Sequence, residues 1–198
     1  MEELDILINK EHLLPSDYIP EDLYILDNND NNFHKYQDPT LKPMLREIIK
    51  PFLDEMLKNA KKDGYDIIVD SGYRSYAYQQ RVLDNLIKEK GEEAYKVSAL
   101  PGASEHQSGL AFDFAYLRNG IYNDDVIETT EEAIWMANNS YKYGFILRYP
   151  KGKENITGFN YEPWHFRFVG LEAAKMIYDG NLTLEEYHQI LTKTKKLI

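Results

Sequence analysis

Two segments, 110–115 and 164–168, alternate apolar and polar residues with the period of two that a β-strand requires. Each turns its large apolar side chains to one face: Leu110, Phe112 and Phe114 in the first, and Trp164, Phe166 and Phe168 in the second. The opposite faces carry Asp113, between two alanines, and His165. Because the apolar faces must pack into a core, both polar side chains are predicted to project from the non-core faces of two strands.

The other patterns along the chain predict a mixture of strands and helices. Strands are predicted at 6–8, 66–70 and 145–148, and helices at 42–62, from Ser75 towards Lys90, at 130–141 and after Thr183. Pro51 lies inside the first helical pattern and is expected to kink or divide it, and Gly64 is expected to end it. Because strands and helices do not alternate regularly, the predicted fold class is α+β and not a doubly wound sheet.

Two helix starts and one loop have recognisable local sequences. Ser75 is a residue type that caps helix N-termini, and Thr183 with Glu186 has the spacing of a capping box. Leu182 and Tyr187 lie where a hydrophobic staple is expected around that box. The turn-forming residues of 27–32 predict a flexible loop.

The composition fits one domain, 1–198, that is long enough to bury a core, since 43% of its residues are apolar and 13% aromatic. The chain has no cysteine, which excludes a disulfide scaffold, a thiolate metal site and a cysteine nucleophile. Its 33 acidic and 23 basic side chains give a net charge of −10. This charge argues against a nucleic-acid partner and against electrostatic adhesion to anionic membranes or wall polymers.

Neither a membrane-spanning segment nor a signal peptide is visible in the sequence. Apolar runs such as 67–69 are much shorter than the ~20 residues of a spanning helix, and residues 1–5 lack a basic start and an apolar stretch. We therefore expect a cytoplasmic location, or a location at the cell surface or cell wall if an export segment has been removed.

A third metal-ligating residue, His106, lies shortly before Asp113. Two imidazoles and one carboxylate with an open fourth position are typical of a catalytic zinc site, so His106, Asp113 and His165 are candidate ligands. Glu162 lies three residues before His165, and Pro163 interrupts the strand pattern so that both side chains can face one site. A carboxylate beside a zinc-bound water is what a hydrolase uses as general base.

The residues alone leave simpler explanations open. A strand histidine is commonly structural, an aspartate on a polar face is commonly solvated, and the spacing from His106 to Asp113 fixes no helical geometry. Arg74, on a loop after a predicted strand, is by itself better explained as part of a surface ion pair than as a substrate-binding residue. The other histidines have no paired ligands nearby in sequence and are expected to lie outside the site: His12, His34 and His188.

Four motifs follow one another along the chain. They are Ser71-Gly72-Tyr73-Arg74-Ser75 with Gln79, Ser104-x-His106-x-x-Gly109-x-Ala111-x-Asp113, Gly144-Phe145-Ile146-Leu147-Arg148-Tyr149-Pro150, and Glu162-Pro163-Trp164-His165. In this order they resemble the VanY-type D-alanyl-D-alanine carboxypeptidases, zinc peptidases that trim peptidoglycan stem peptides. The resemblance covers most of the chain, from 6–10 to about Gly170. Related enzymes are the L,D-carboxypeptidases and the VanXY-type D,D-peptidases.

The resemblance implies a small α+β fold on an antiparallel sheet, shared with lysostaphin-type peptidases and the hedgehog signalling domain. It implies one zinc ion per chain, with Glu162 as catalytic base. The implied zinc ligands are His106, Asp113 and His165. The residues implied to contact the substrate are Arg74, which would hold it, and Ser104 and Gln79, which would line the peptide site.

The expected activity is removal of the C-terminal D-alanine from peptidoglycan stem peptides or their precursors. An L,D-carboxypeptidase acting on tetrapeptides and a D-Ala-D-Ala dipeptidase remain open, because both would share the metal and the base. A zinc-stabilised binding module without activity is a further alternative. The presence of Glu162 argues against such a module, since a purely structural metal site needs no base.

Overall fold

The described residues, 4–26 and 43–195 of a computed structural model, contain two antiparallel sheets. The smaller sheet pairs β1 (Leu23–Ile25) with β2 (Met44–Arg46). The strands of the larger sheet are β3 (Asp66–Ser71), β4 (Ala111–Arg118), β5 (Ile121–Asn123), β6 (Phe145–Leu147) and β7 (His165–Phe168). Their hydrogen-bonded order is β3-β4-β7-β6, and β5 pairs with β4.

Helices surround these sheets. The α-helices are α1 (Lys50–Lys62), α2 (Tyr76–Lys90), α3 (Ala94–Val97), α4 (Glu131–Asn139), α5 (Glu154–Thr157), α6 (Leu171–Asp179) and α7 (Leu184–Lys195). Short 3₁₀ turns occupy 47–49, 91–93, 105–108 and 140–143. Within the described ranges, no helix combines the length and the apolar character that crossing a membrane requires. The mixture of antiparallel strands and helices confirms the predicted α+β class.

The main core lies on the apolar face of β4 and β7. Phe112, Phe114, Phe166 and Phe168 are all at most 2% exposed, and the rings of Phe112 and Phe166 lie 6.3 Å apart. Helix α1 covers this face with its own buried stripe, which consists of Leu53, Met56, Leu57 and Ala60. Burial of the aromatic face fixes the register of β4 and β7, because a shift of one residue would turn these rings to the opposite side.

The predicted helix starts are present. Ser75 caps α2, since its Oγ accepts a hydrogen bond from the backbone N–H of Tyr78 at 3.2 Å. Thr183 and Glu186 form the reciprocal capping box of α7, with N···O distances of 2.8 and 3.2 Å. Tyr187 is buried in a second apolar cluster against which Leu182 packs, in agreement with the predicted staple.

The predicted strand at 6–8 is wrong. No strand includes these residues, and the carbonyl oxygens of Leu4 and Ile6 instead accept hydrogen bonds from Nη2 of Arg167 at 3.0 and 2.9 Å. A guanidinium thus satisfies backbone groups that would otherwise need a strand partner.

The predicted helix over 42–62 is wrong for its first turns. Met44–Arg46 form β2, and the α-helix begins only at Lys50, so Pro51 lies in the first turn instead of kinking the helix. Proline is well tolerated there, because the first N–H groups of a helix have no intrahelical partner. Gly64, with φ of 98°, follows the helix end as predicted. Lys42 and the predicted loop at 27–32 lie outside the described residues.

Candidate functional site

The candidate site begins with two neighbouring strands. In the antiparallel pairing of β4 with β7, Asp113 lies directly opposite His165, so the two side chains share the face that points away from the aromatic core. Their side chains meet, with 2.9 Å between Nδ1 of His165 and Oδ1 of Asp113. The alternation pattern therefore predicted both the strands and the face correctly.

His106 reaches the same point from the 3₁₀ turn before β4. Gly109 ends that turn in the left-handed conformation, with φ of 67°, and directs the chain into the strand. Nε2 of His106 then lies 3.3 Å from Oδ2 of Asp113. Each of the three residues His106, Asp113 and His165 offers one ligand atom, and these three atoms all lie within 4.8 Å of one another. The structure brings the three predicted ligands together.

Hydrogen bonds on the outer side of each imidazole orient the two rings. Nδ1 of His106 donates to the carbonyl oxygen of Gly72 at 2.7 Å, which leaves Nε2 as the atom with a free lone pair. Nε2 of His165 lies 3.4 Å from Oε2 of Glu105, so Nδ1 of His165 is the atom that faces Asp113. Each ring therefore presents one nitrogen to the centre of the cluster.

The charge states of His106 and Asp113 suit a cation, whereas binding of a metal by His165 requires loss of a proton from its ring. Burial lowers the pKa of His106 to about 4, so this ring is neutral at pH 7. Burial opposes ionisation of Asp113 as well, but the two histidines hold the pKa of its carboxyl well below its usual range. Burial also disfavours a charged His165, yet hydrogen bonds to Asp113 and Glu105 raise its pKa to about 9.

The donor set fits a zinc ion. Nε2 of His106 is buried and makes no hydrogen bond within the described part of the chain, although a buried ring nitrogen normally has a partner. Two imidazole nitrogens and a carboxylate oxygen are ligands that zinc accepts, and three protein ligands leave a fourth position for water or substrate.

Replacement of Gly72 by alanine is expected to lower the free energy of unfolding by about 1–3 kcal/mol. A Cβ at this position would overlap the backbone carbonyl oxygen of Met44, which accepts the N–H of Tyr73 at 2.6 Å. Either Gly72, whose carbonyl oxygen is the acceptor for His106, or strand β2 would have to move. Urea unfolding of the metal-free chain measures the change, and an unchanged midpoint would contradict the expectation.

A cavity of about 220 Å³ opens next to the three candidate ligands. The residues around it include all the predicted substrate-contacting side chains and the predicted base: Arg74, Gln79, Ser104 and Glu162. Three aromatic side chains also line the cavity: Tyr149, Phe159 and Trp164. Trp164, predicted as core, is partly buried against the core cluster and also lines this cavity.

Glu162 lies beside the cluster because the chain bends before β7. Its N–H donates to the carbonyl oxygen of Tyr149, and its own carbonyl accepts the N–H of His165, both at 3.2 Å. This turn lets both Glu162 and His165 line the cavity although they are three residues apart. Burial raises the pKa of the Glu162 carboxyl to about 7, a value suited to proton exchange near neutral pH.

Arg74 is attached to the cluster on the other side. Its Nη2 lies 3.2 Å from Oδ2 of Asp113, and its Nη1 donates to Oε1 of Gln79 at 3.4 Å. Gln79 is in turn bonded to the hydroxyl of Ser98 and the carbonyl of Ala99. The guanidinium is thus held at the cavity and does not form a surface ion pair.

Two residues in contact with His165 were not predicted as site residues. Glu105 is buried directly behind His165, and the ring of Tyr149 stacks on His165 at a centroid distance of 5.0 Å. The position of Glu105 next to His106 was the available signal. His12 and His188 line a separate groove of about 1060 Å³ between the N-terminal segment and α7. His34 lies outside the described residues.

Comparisons with known proteins agree with this geometry. The VanY family model, described as D-alanyl-D-alanine carboxypeptidase, matches residues 42–171. The bifunctional D-Ala-D-Ala dipeptidase and carboxypeptidase VanXYC of Enterococcus gallinarum is 38% identical over 193 residues, which are 95% of each protein.

Two solved structures are similar throughout. The LdcB LD-carboxypeptidase, whose structure concerns peptidoglycan recognition, is 44% identical with a TM-score of 0.82, covering 92% of this chain and 84% of the other. A VanY D,D-pentapeptidase from a VanB-type resistance cassette, solved with Zn(II), is 37% identical with a TM-score of 0.78. The match covers 94% of this chain and 99% of the other.

The family match spans more than half of the chain, and the similar structures cover nearly all of it. These matches favour an enzyme over a zinc-stabilised binding module. The donor set of the cluster agrees with the zinc found in a relative. The chain belongs to the VanY family of D-alanyl-D-alanine carboxypeptidases and is a zinc-dependent carboxypeptidase.

Proposed function

We propose that this chain removes the C-terminal D-alanine from peptidoglycan stem peptides, using zinc held by His106, Asp113 and His165. The observation that carries the proposal is the convergence of these ligands at a cavity that also contains a partly buried carboxylate, Glu162, and a fixed guanidinium. The names of the relatives in the family support the choice of substrate.

In this proposal His106, Asp113 and His165 hold the metal through the nitrogens and oxygen that already face one another. Zinc bound there would polarise the scissile carbonyl and lower the pKa of a coordinated water to about 7. Glu162 takes a proton from the attacking water onto its carboxylate. It then delivers that proton to the nitrogen of the departing D-alanine as the peptide bond breaks.

Arg74 would bind the free carboxylate by which an exopeptidase recognises its substrate. Its Nε is buried and makes no hydrogen bond to the described residues, and its two terminal nitrogens already hold it against Asp113 and Gln79. A guanidinium fixed in this way can form a directed, charge-assisted contact with a carboxylate, which the point charge of a lysine cannot reproduce.

We expect Arg74→Ala to lower kcat/KM on peptides with a free C-terminus by about 10- to 100-fold, with most of the loss in KM. Arg74→Lys is expected to restore only part of this loss. The matched control is Arg118→Ala, which removes an arginine paired with Glu132 at the far end of β4. Zinc content is measured for each variant, because Arg74 also contacts Asp113.

Loss of activity with an unchanged KM, or an equal effect of Arg118→Ala, would contradict this role. A peptide whose C-terminus is amidated provides a second control. It should be a poor substrate for the wild type and should lose little further activity in Arg74→Ala.

The second candidate function is that of an L,D-carboxypeptidase, which removes D-alanine from a tetrapeptide. It is favoured by the 44% identity to a structure named as an LD-carboxypeptidase. A D-Ala-D-Ala dipeptidase is a third candidate, supported by the similarity to VanXYC. All three would use the same metal ligands and base and differ in how the cavity accommodates the residues before the cleaved bond.

Mass spectrometry of the products distinguishes these activities. The zinc-loaded chain is incubated separately with pentapeptide muropeptide, tetrapeptide muropeptide and free D-Ala-D-Ala. The proposal expects loss of one alanine from the pentapeptide, at a rate well above that for the other two. Preferential cleavage of the tetrapeptide or of the dipeptide would replace it with the corresponding alternative, and no cleavage of any substrate would reject all three.

A further inference from the structure

The carboxylate of Glu105 lies fully buried directly behind the candidate ligand His165. Its side chain is 0% exposed, and its Oε2 lies 3.4 Å from Nε2 of His165. Its other oxygen, Oε1, accepts hydrogen bonds from Nε of Arg148 at 2.7 Å and from Nη1 of Arg167 at 2.8 Å. Glu105 has no place in the proton transfers proposed above.

The two arginines belong to a larger buried ion cluster. Both are 0% exposed, and Arg148 also forms a two-pronged pair with Glu185, at 3.0 and 2.6 Å. Each of these charges loses its hydration on burial, a cost that the pairing must offset. If the cluster served packing alone, apolar side chains of similar volume would give the folded chain equal or greater stability.

The two carboxylate oxygens of Glu105 have different partners. Both guanidiniums bind Oε1, which leaves Oε2 directed at the histidine ring. Tyr149 stacks on the same ring and restricts its rotation. The surroundings of His165 therefore fix the ring from behind and from its face, while Nδ1 points to Asp113.

We propose that Glu105 is a positioning residue for the metal site. Its Oε2 accepts the Nε2–H of His165, which fixes the tautomer in which Nδ1 offers its lone pair to zinc and makes that nitrogen a stronger donor. Arg148 and Arg167 hold the carboxylate in place. The inference rests on the proposed role of His165 as a zinc ligand.

The competing explanation is that Glu105 only neutralises the two arginines. Glu185 permits a matched comparison, because it is a buried carboxylate of the same cluster and bonds Arg148 and Asn9. None of its hydrogen bonds within the described residues reaches His165. The variants Glu105→Gln and Glu185→Gln each remove one negative charge from the cluster. Only Glu105→Gln changes the side chain that faces Nε2 of His165.

Zinc affinity of the full chain is measured by competition with a chromophoric chelator. We expect Glu105→Gln to bind zinc about 10- to 100-fold more weakly than the wild type. Glu185→Gln is expected to stay close to the wild-type affinity, whatever its effect on thermal unfolding of the metal-free chain. Equal weakening in both variants, or none in Glu105→Gln, would overturn the proposal.

A measurement on the wild type covers the case in which Glu105→Gln does not fold. The ¹⁵N resonances of the histidine rings in the zinc-loaded chain identify which nitrogen of His165 binds metal and which carries hydrogen. The proposal requires zinc on Nδ1 and hydrogen on Nε2, and the opposite assignment would reject it. If the wild type binds no zinc at all, the proposed function fails; if it binds zinc through Nδ1 and Glu105→Gln binds equally well, only this inference fails.

Discussion

We expect Glu162→Ala to turn over its peptide substrate about 10²–10⁴ times more slowly than the wild type while retaining one zinc per chain. The reason is that the variant removes the only proton acceptor assigned in the proposed reaction and leaves the three candidate ligands intact. The partly buried position of Glu162 and its pKa of about 7 are suited to taking up and releasing a proton near neutral pH. Steady-state kinetics together with metal analysis of the same sample measures both quantities.

Two further variants refine this test. Glu162→Gln keeps the size of the side chain and removes its basicity, so it should lose nearly as much activity as Glu162→Ala. Glu154→Gln serves as the control, because Glu154 is a partly exposed carboxylate at the start of α5 whose Oε1 accepts a hydrogen bond from the N–H of Gly152. A fully active Glu162→Ala would show that the base has been assigned wrongly, and loss of zinc from it would show that the residue supports the metal instead.

Removal of a metal ligand is expected to have the other large effect. In His106→Ala and His165→Ala, zinc should no longer be retained after dialysis, and kcat/KM should fall by at least about 10³-fold, because the metal supplies several kcal/mol of transition-state stabilisation. The matched control is His12→Ala, since His12 is exposed and bonds only locally, to Asn9, in the hydrogen bonds described. Metal analysis and activity are compared across the three variants.

Chelation provides the same test without mutation. Dialysis of the wild type against a strong chelator should abolish turnover, and addition of about one equivalent of zinc should restore it. Activity that survives complete removal of metal would contradict the zinc mechanism. Retention of zinc by both His106→Ala and His165→Ala would contradict the ligand assignment and leave the family membership unaffected.

The parts of the site that could be predicted from the sequence are those encoded by local alternation. The aromatic residues of β4 and β7 determined which way Asp113 and His165 would point, and the pairing of the two strands then placed them opposite each other. A proline between Glu162 and His165 indicated the bend that brings both into the cavity. The motifs shared with the VanY family added the order of these residues along the chain.

The parts that could not be predicted depend on contacts between distant segments. Arg167 follows the same alternation in 164–168 and therefore points away from the aromatic core, yet it is 0% exposed because Glu105 and the carbonyl groups of Leu4 and Ile6 surround its guanidinium. The same contacts replace the strand predicted at 6–8. No local pattern reveals an ion cluster whose members come from four separate parts of the chain.

The helical pattern at the start of 42–62 failed for a related reason. Residues 44–46 pair with β1, and Leu45 is buried in the core. They form a strand although the apolar residues of 42–62 have helical spacing. Short apolar stretches fit a strand or a helix almost equally well, and the tertiary partner decides between them. Pro51 was expected to kink or divide the helix but lies in its first turn, so the preference of proline for that turn was the better guide to where the helix begins.

Asp113 and His165 lie directly opposite each other across β4 and β7, so metal binding by both residues would depend on the native register of the two strands. If the two strands paired one residue out of register, His165 would no longer face Asp113, and the proposed ligand set would be lost. Only the native pairing then gains binding free energy, which is about 2.7 kcal/mol when free zinc is at 100 times its dissociation constant. By this linkage, zinc would stabilise the native alignment selectively over its nearest misfolded competitor.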